Sequence, residues 1–319
     1  MEKMKVFVAG HRGLVGSATM LALKNHPDFE IVTRTHGELD LQDRAATRAF
    51  FMEHRPDHVV MCAAKVGGIL ANSKLPVEFL HDNLRIQLNV FDAAREARID
   101  RMIFLGSSCI YPRGCPQPIK EEYLLTGPLE ATNRPYALAK IAGVESCWAS
   151  NRQYGTRYLA MMPTNMYGPG DNYHLEHSHV LPALIRRFHE AKVTAASSVV
   201  VWGSGRPRRE FMYSSDLGDA IMFLLALPDE RFAALTHPDV APLINVGVGE
   251  DVTIREVAEL VKATVGYQGE LKFDATKPDG TPRKLLDVGR LAALGWKAKT
   301  QLAAGLQHAY EDFLKRHAA

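Results

Sequence analysis

Three glycines spaced three apart, Gly10, Gly13 and Gly16, stand directly behind the apolar run Val6-Phe-Val-Ala9. Such a run ending in a glycine turn that opens a helix constrains the first half of the chain strongly. Glycine permits a tight turn and lets backbone approach a phosphate closely. A helix starting there offers unpaired N–H groups and the positive end of its dipole to an anion. On the first strand-to-helix turn of a chain, the pattern predicts a dinucleotide site at the edge of a parallel sheet.

The segments that follow agree with that sheet. Apolar, strand-like runs at Lys5–Ala9, Glu30–Thr33, His58–Ala63 and Met102–Leu105 alternate with helical stretches at Gly13–Lys24, Ala45–Glu53 and Asp82–Ala97. Continuous apolar strands are buried on both faces, and their alternation with helices implies a doubly wound parallel α/β sheet. Beyond residue 134 the pattern is mixed: helices over Tyr136–Tyr154, His179–Glu190, Asp216–Leu227 and Thr253–Val265, and strands over Arg157–Met162, Val199–Trp202 and Leu243–Val246. The division expected is a nucleotide-binding domain over 1–166, rejoined by segments near 211–228 and 243–248. A smaller mixed α/β substrate-binding domain is expected over 167–319. Pro and Gly cluster at 168–170 and 203–207, where the chain is expected to pass between the two.

Bulk properties exclude several classes. A net charge of +2 over 319 residues gives no reason to expect nucleic acid or a membrane surface as partner. No apolar run reaches the length of about eighteen residues that a spanning helix needs. The start, MEKMKVFVAGHRG, lacks a cleavage-site pattern. The four cysteines form no CxxC pair, so neither a disulfide framework nor a metal site is expected, and the expected compartment is the cytoplasm.

Two short segments carry the chemistry. Ser107 and Cys109 lie in LGSSCIYP, behind an apolar strand; Tyr136 and Lys140 lie in RPYALAK, behind a proline suited to a helix start. Four residues apart, Tyr136 and Lys140 share one helical face. A neighbouring ammonium favours the phenolate, so Lys140 is expected to lower the pKa of Tyr136. Such a tyrosine can donate or accept a proton at a carbonyl or an alcohol. The second strand ends Ile31-Val-Thr-Arg-Thr-His36 without the carboxylate that would hold a ribose 2′-hydroxyl, while Arg12 sits inside the glycine turn. Basic groups suit a 2′-phosphate, so NADP(H) is the expected cofactor. His36 adds a hydrogen bond there or is a solvated loop residue.

The early glycine turn, the Ser107…Tyr136-x-x-x-Lys140 set and Arg209-Glu-Phe-Met-Tyr-Ser-Ser-Asp216 resemble the extended short-chain dehydrogenase/reductases, over nearly the whole chain. The resemblance implies a Rossmann-type fold. GHRGLVG, AAKVGGI, PTNMYGP, NYHLEHSHVLPALIRR, VWGSGRPRREF and KPDGTPRKLLD are similar, more narrowly, to the branch of nucleotide-sugar 3,5-epimerase/4-reductases. That likeness implies GDP-4-keto-6-deoxy-D-mannose as substrate, NADPH as hydride donor and a homodimer built on the helices at 82–97 and 136–154.

By the same resemblance Ser107, Cys109, Tyr136, Lys140 and His179 are catalytic. Cys109 and His179 form the proton-exchanging pair, and Lys140 also binds the nicotinamide ribose. The implied cofactor contacts are Gly10, His11, Arg12, Gly13, Leu14, Val15, Gly16, His36, Asp40, Leu41, Leu105, Gly106, Ser107, Ser108, Tyr136, Lys140, Pro163, Thr164, Asn165, Met166 and His179. The implied substrate contacts are Ser108, Cys109, Asn165, Arg187, Trp202, Arg209, Asp279 and Arg283. Each has a plainer alternative: Cys109 as a small buried hydrophobe, Trp202 as core, Asp279 and Arg283 as solvated turn charges. His174 and His177 are expected to be loop residues over the substrate.

Two rivals stay open, another GDP-4-keto-sugar epimerase/reductase of GDP-colitose type and a non-catalytic NADP-binding sensor. Ser108-Cys109-Ile110 stands where a 4,6-dehydratase carries Thr-Asp-Glu, which disfavours dehydration. The missing acidic residue after the second strand disfavours an NAD-retaining 4-epimerase.

Overall fold

The computed structural model describes residues 3–24, 26–174, 178–277 and 279–317, so His177 lies outside the described residues. Six strands form one all-parallel sheet: β1 (Met4–Ala9), β2 (Phe29–Val32), β3 (His58–Met61), β4 (Arg101–Leu105), β5 (Arg157–Pro163) and the strand Leu243–Val246. From edge to edge the order is 243–246, β5, β4, β3, β1, β2. The chain reverses direction of travel at β1, so a crevice opens between the carboxyl ends of β1 and β3, where open α/β sheets bind ligands.

The helices of this half are α1 (Leu14–Lys24), α2 (Arg44–His54), α3 (Ile69–Lys74), α4 (Pro76–Glu96) and α5 (Arg134–Tyr154). Later come α6 (Val180–Val193) and α7 (Ser214–Leu225). Alternation along the strands feeds both faces. Phe7, Val59, Phe104 and Tyr158 pack with Phe50, Phe51 and Phe91 beneath α2, α4 and α5. Val6, Val8, Val60, Ile103 and Leu159 pack on the other face with Leu217, Ile221 and Leu224 of α7. Gly143 lets α5 lie directly on the sheet, because a Cβ there would come within 2.1 Å of the Phe104 ring.

A third core joins Leu184, Phe188, Val201, Val257, Val261 and Phe313 around the parallel pair Ser198–Trp202 and Glu270–Asp274. Two small ladders tie it to the main sheet. Asn165–Tyr167 pairs with Phe211–Tyr213, and Arg208–Arg209 pairs with both Val252–Thr253 and Arg283–Lys284.

Several elements differ from the sequence expectation, among them two long helices. α4 begins at Pro76, six residues before Asp82. Its buried stripe contains Asn83 and Gln87, which breaks the apolar period. Asn83 donates to the carbonyls of Lys65 and Phe79, and Gln87 to that of Ala139 on α5. The helix Leu302–His317, for which no expectation was formed, closes the third core with Leu306, Tyr310 and Phe313.

Candidate active site

The glycine turn is a cradle built by backbone. Gly10 adopts φ +80°, and a Cβ there would meet the Ala63 nitrogen at 2.7 Å. A Cβ on Gly16 would meet the Gly10 carbonyl oxygen at 2.1 Å. Both contacts pull α1 against the ends of β1 and β3 and leave Leu14 and Val15 to open the helix. The space, the N–H groups of the first turn and the exposed Arg12 form a donor set that suits a dinucleotide phosphate.

Beyond β2, Arg34 is engaged: it lies 2.6 Å from His54 Nε2 and 5.3 Å over the Phe50 ring. His36 is exposed and 3.8 Å from Asp40. Leu41 is buried. A carboxylate does stand two residues past the stretch read as free of one. Glu38 accepts from Thr35 N at 2.7 Å and Thr35 Oγ1 at 2.8 Å, bonds that hold its pKa low.

The reacting groups gather at the ends of β4 and β5. Leu105 is in register with Met161, and Gly106 N–H donates to the Met161 carbonyl at 2.9 Å. Ser107 and Pro163 therefore leave the sheet side by side. Ser108–Ile110 forms one 3-10 turn, begun by Ser107 Oγ, which accepts from Cys109 N at 3.3 Å. Tyr111 anchors the turn through its hydroxyl to Asn245 Oδ1 at 2.6 Å, and Asn245 N donates to Glu121 at 2.9 Å.

Lys140, 3% exposed, donates to the Leu105 carbonyl at 2.7 Å, with its ammonium 4.8 Å from the Phe104 ring and 5.8 Å from the Tyr136 ring. Tyr136 is half-buried, edge-on to Phe79.

The expected lowering of the Tyr136 pKa is not found. Burial pushes the phenol up, and a thiolate at Cys109 would push it further. Lys140 spends its charge on a carbonyl, and burial brings its own pKa down to about 8. In a dry cleft the cost of a bare phenolate outweighs the distant ammonium.

Cys109 is 6% exposed, and burial raises its pKa, opposed by Lys284, the Ser107 hydroxyl and Lys140. His179 caps α6, and its carbonyl accepts from Ala183 N at 3.1 Å. The residue is open to solvent at its edge, yet the surrounding protein crowds the imidazole and lowers its pKa.

Thr164 and Asn165 both donate to the Glu210 carbonyl, at 3.2 and 2.8 Å, which fixes Pro163–Met166 against the second half. Trp202 is 65% exposed, which excludes the core alternative. Arg187 lies 5.8 Å and Lys277 5.5 Å from its ring. Arg209 is held by the carbonyls of Arg208 and Thr281, at 2.8 and 2.6 Å.

Asp279 and Arg283 are exposed, as turn charges would be, and each also has a partner within the chain. Asp279 accepts from Ser204 N and Oγ at 2.8 and 2.6 Å and so shapes the turn after Trp202. Arg283 pairs with Asp251, which also accepts from Arg208 at 2.7 Å.

Glu210, Lys277 and Lys284 were not singled out from the sequence. Glu210 is fully buried and accepts from Val248 N, Gly249 N and Leu286 N at 2.6, 2.7 and 3.1 Å. It gathers three segments that are far apart in the chain. The only signal in the sequence was a charged residue inside the apolar stretch Glu210-Phe-Met. Lys284 stands beside Arg283 in a run of charges and turn residues that reads as solvated.

Residues 6–236 match the NAD dependent epimerase/dehydratase family. The chain is 53% identical over 314 residues to GDP-L-fucose synthase 1 of Arabidopsis thaliana, covering 98% of this chain and 94% of that protein. It is 51% identical over 315 residues to GDP-L-fucose synthase of Escherichia coli K12, covering 99% and 98%. A crystal structure of a GDP-D-glycero-L-gluco-heptose synthase from Campylobacter jejuni, in the presence of NADPH, superposes with a TM-score of 0.89 at 34% identity, covering 98% of each chain. The chain belongs to the NAD dependent epimerase/dehydratase family, on its GDP-L-fucose synthase branch.

Proposed function

We infer that the chain converts GDP-4-keto-6-deoxy-D-mannose to GDP-L-fucose by inverting C3 and C5 and then reducing the C4 ketone with NADPH. The observation that carries this reading is the meeting of a phenol, a thiol and a lysine at the ends of β4 and α5, beside a glycine cradle. A 4-ketone acidifies the hydrogens on both neighbouring carbons, so one carbonyl serves both half-reactions.

Ser107 and Tyr136 donate hydrogen bonds to the ketone oxygen and stabilise the enolate that forms when a proton leaves C3 or C5. Cys109 and His179 exchange those protons. Burial disfavours the charged form of both groups, raising the Cys109 pKa and lowering that of His179. One group removes a proton and the other returns one to the opposite face. Bound in the cradle, NADPH supplies the hydride for C4. Tyr136, kept a phenol by burial, is then the proton donor to the new alkoxide. Lys140, fixed to the Leu105 carbonyl, holds a positive charge between Tyr136 and the ribose position.

Arg187, Trp202 and Arg209 are the contacts assigned to the GDP portion: guanidinium groups for diphosphate and an exposed indole for a flat ring. On this reading 1–166 with the segments near 211–228 and 243–248 holds the cofactor, and 167–319 holds the sugar nucleotide. A homodimer through α4 and α5 is supported by exposed Leu88 and Leu138 on those helices. No helix among the described residues is long and apolar enough to cross a membrane. The cytoplasm is the compartment this reading assigns.

The test is to supply GDP-4-keto-6-deoxy-D-mannose and NADPH in deuterated water and read the product by NMR. GDP-L-fucose carrying deuterium at C3 and C5 is the expected result. NADPH oxidation with one inverted centre or none would transfer the substrate to another GDP-4-keto sugar. Binding of NADPH without oxidation would favour a sensor.

A further inference from the structure

We propose that Lys284 is the cation that favours the thiolate form of Cys109 when a substrate proton is to be removed, a positioning residue acting on the sulfur rather than on the sugar. The inference rests on the reading that Cys109 exchanges the substrate's protons. In that step the C–H bond breaks, an S–H bond forms on Cys109, and the electron pair moves to the ketone oxygen. A thiol cannot take that proton, and burial raises the Cys109 pKa even with Lys284 beside it, so a nearby cation is what keeps the thiolate within reach.

The backbone around Lys284 is fixed on both sides. Arg283–Lys284 pairs in parallel with Arg208–Arg209, with Lys284 opposite Arg209. Arg283 pairs with Asp251. Leu285 N donates to Gln117 at 2.8 Å, and Leu286 N donates to Glu210 at 3.1 Å. The strand delivers Lys284 into the small cleft that Cys109 shares with Arg113, Glu130, Thr281 and Arg283.

The charged groups around that cleft are accounted for. Glu130 pairs with Arg113 at 3.3 Å and accepts from Thr281 Oγ1. Asp251 is taken by Arg208 and Arg283. Arg209, bonded to two carbonyls, repels an ammonium at Lys284.

Among the described residues the Lys284 side chain makes no ion pair and no hydrogen bond. Its surroundings are Cys109, Cys115, Arg209 and Glu130, and burial weakens its hold on its own proton. A partly buried ammonium without a partner is costly, and a thiolate at Cys109 is the partner that lowers the cost. Of the influences that favour a Cys109 thiolate, Lys284 is the largest, ahead of the Ser107 hydroxyl and Lys140.

The experiment follows alkylation of Cys109 by iodoacetamide against pH, without substrate, in a Cys115→Ser background. The modified Cys109 peptide is quantified by mass spectrometry. An opposite charge close to an ionisable group moves its pKa by about one to three units, so Lys284→Met is expected to slow alkylation near neutral pH about tenfold or more. It should also move the rise in rate to higher pH, while Lys284→Arg keeps the parent profile. If Lys284→Met does not retain NADPH binding, Lys284→Gln takes its place. An unchanged profile in the charge-removing variant overturns the proposal, because a lysine that only touched substrate would leave the free thiol unaffected. Failure of the underlying reading appears elsewhere, as normal deuterium incorporation by Cys109→Ser.

Discussion

Ser107, Tyr136 and Lys140 stand at the end of a buried strand and on the first two turns of a 21-residue helix. Cys109, His179 and Lys284 stand on a single 3-10 turn, a helix cap and a two-residue strand. The first group has settled partners: Lys140 is bonded to a carbonyl, and Ser107 to the backbone of its own turn. Among the described residues the second contains a thiol and an imidazole without a carboxylate partner and an ammonium without an ion pair.

The difference matches what each group is asked to do on our reading. Orienting a ketone and delivering one proton needs fixed geometry, which long packed elements supply. Exchanging protons repeatedly needs groups that a carboxylate does not lock into one charge state. Short segments can present such groups only because Glu210, Asn245 and Asp251 tie them down from behind.

The sharpest way to break this contrast is to remove one group from each side. Tyr136→Phe is expected to lower NADPH oxidation by about 10²–10⁴-fold, the range for losing a general acid, while deuterium still enters the substrate at C3 and C5. Cys109→Ser should do the reverse, cutting deuterium entry by about 10²-fold or more while the Kd for NADPH changes little. Loss of both activities in either variant would mean that the two sets are not separable.

Lys140 gives a stability test of the ordered side. Its pKa is about 8 in the fold, below the 10.5 of an ordinary lysine. Between those values the unfolded chain holds more protons, so the Lys140 contribution to stability rises with pH across that window. At neutral pH the buried charge costs about 3 kcal/mol. Urea unfolding of the cofactor-free protein should show Lys140→Met more stable than the parent near neutrality, with the gap narrowing as pH rises towards 10. A gap that does not change with pH would mean that Lys140 is not desolvated.

The smallest effect concerns the substrate wall. Losing one charged hydrogen bond costs about 1.5–3 kcal/mol, so Arg187→Ala is expected to raise KM about tenfold or more with kcat nearly kept. Arg283→Ala should act chiefly on the urea midpoint, because that guanidinium is bound to Asp251. Equal KM effects would place Arg283 on the substrate as well.

Much of the first half was legible because its signals are local. Buried parallel strands read as continuous apolar runs, and the glycine turn sits where backbone must pass between Gly10 and Ala63. α4 starts at Pro76, six residues before the expected Asp82, and its buried stripe holds Asn83 and Gln87, whose hydrogen bonds to distant carbonyls make polar residues tolerable there. In the second half, two-residue strands such as Arg208–Arg209 and Arg283–Lys284 carry no period at all. The charges around Arg283–Lys284 read as solvated, although Lys284 is turned inward.

The sequence by itself determined the parallel sheet, the cradle at its first turn and the residue types at the reacting centre. Each follows from a pattern within a few residues, where propensity, spacing and steric freedom act. The tertiary structure decided the protonation states and the pairings. Whether Tyr136 is a phenol, what Asp279 binds and what surrounds Lys284 all depend on desolvation and on groups brought from distant parts of the chain, as Ser204 is to Asp279 and Cys109 to Lys284. The fields that set them exist only once the chain has excluded water from the cleft.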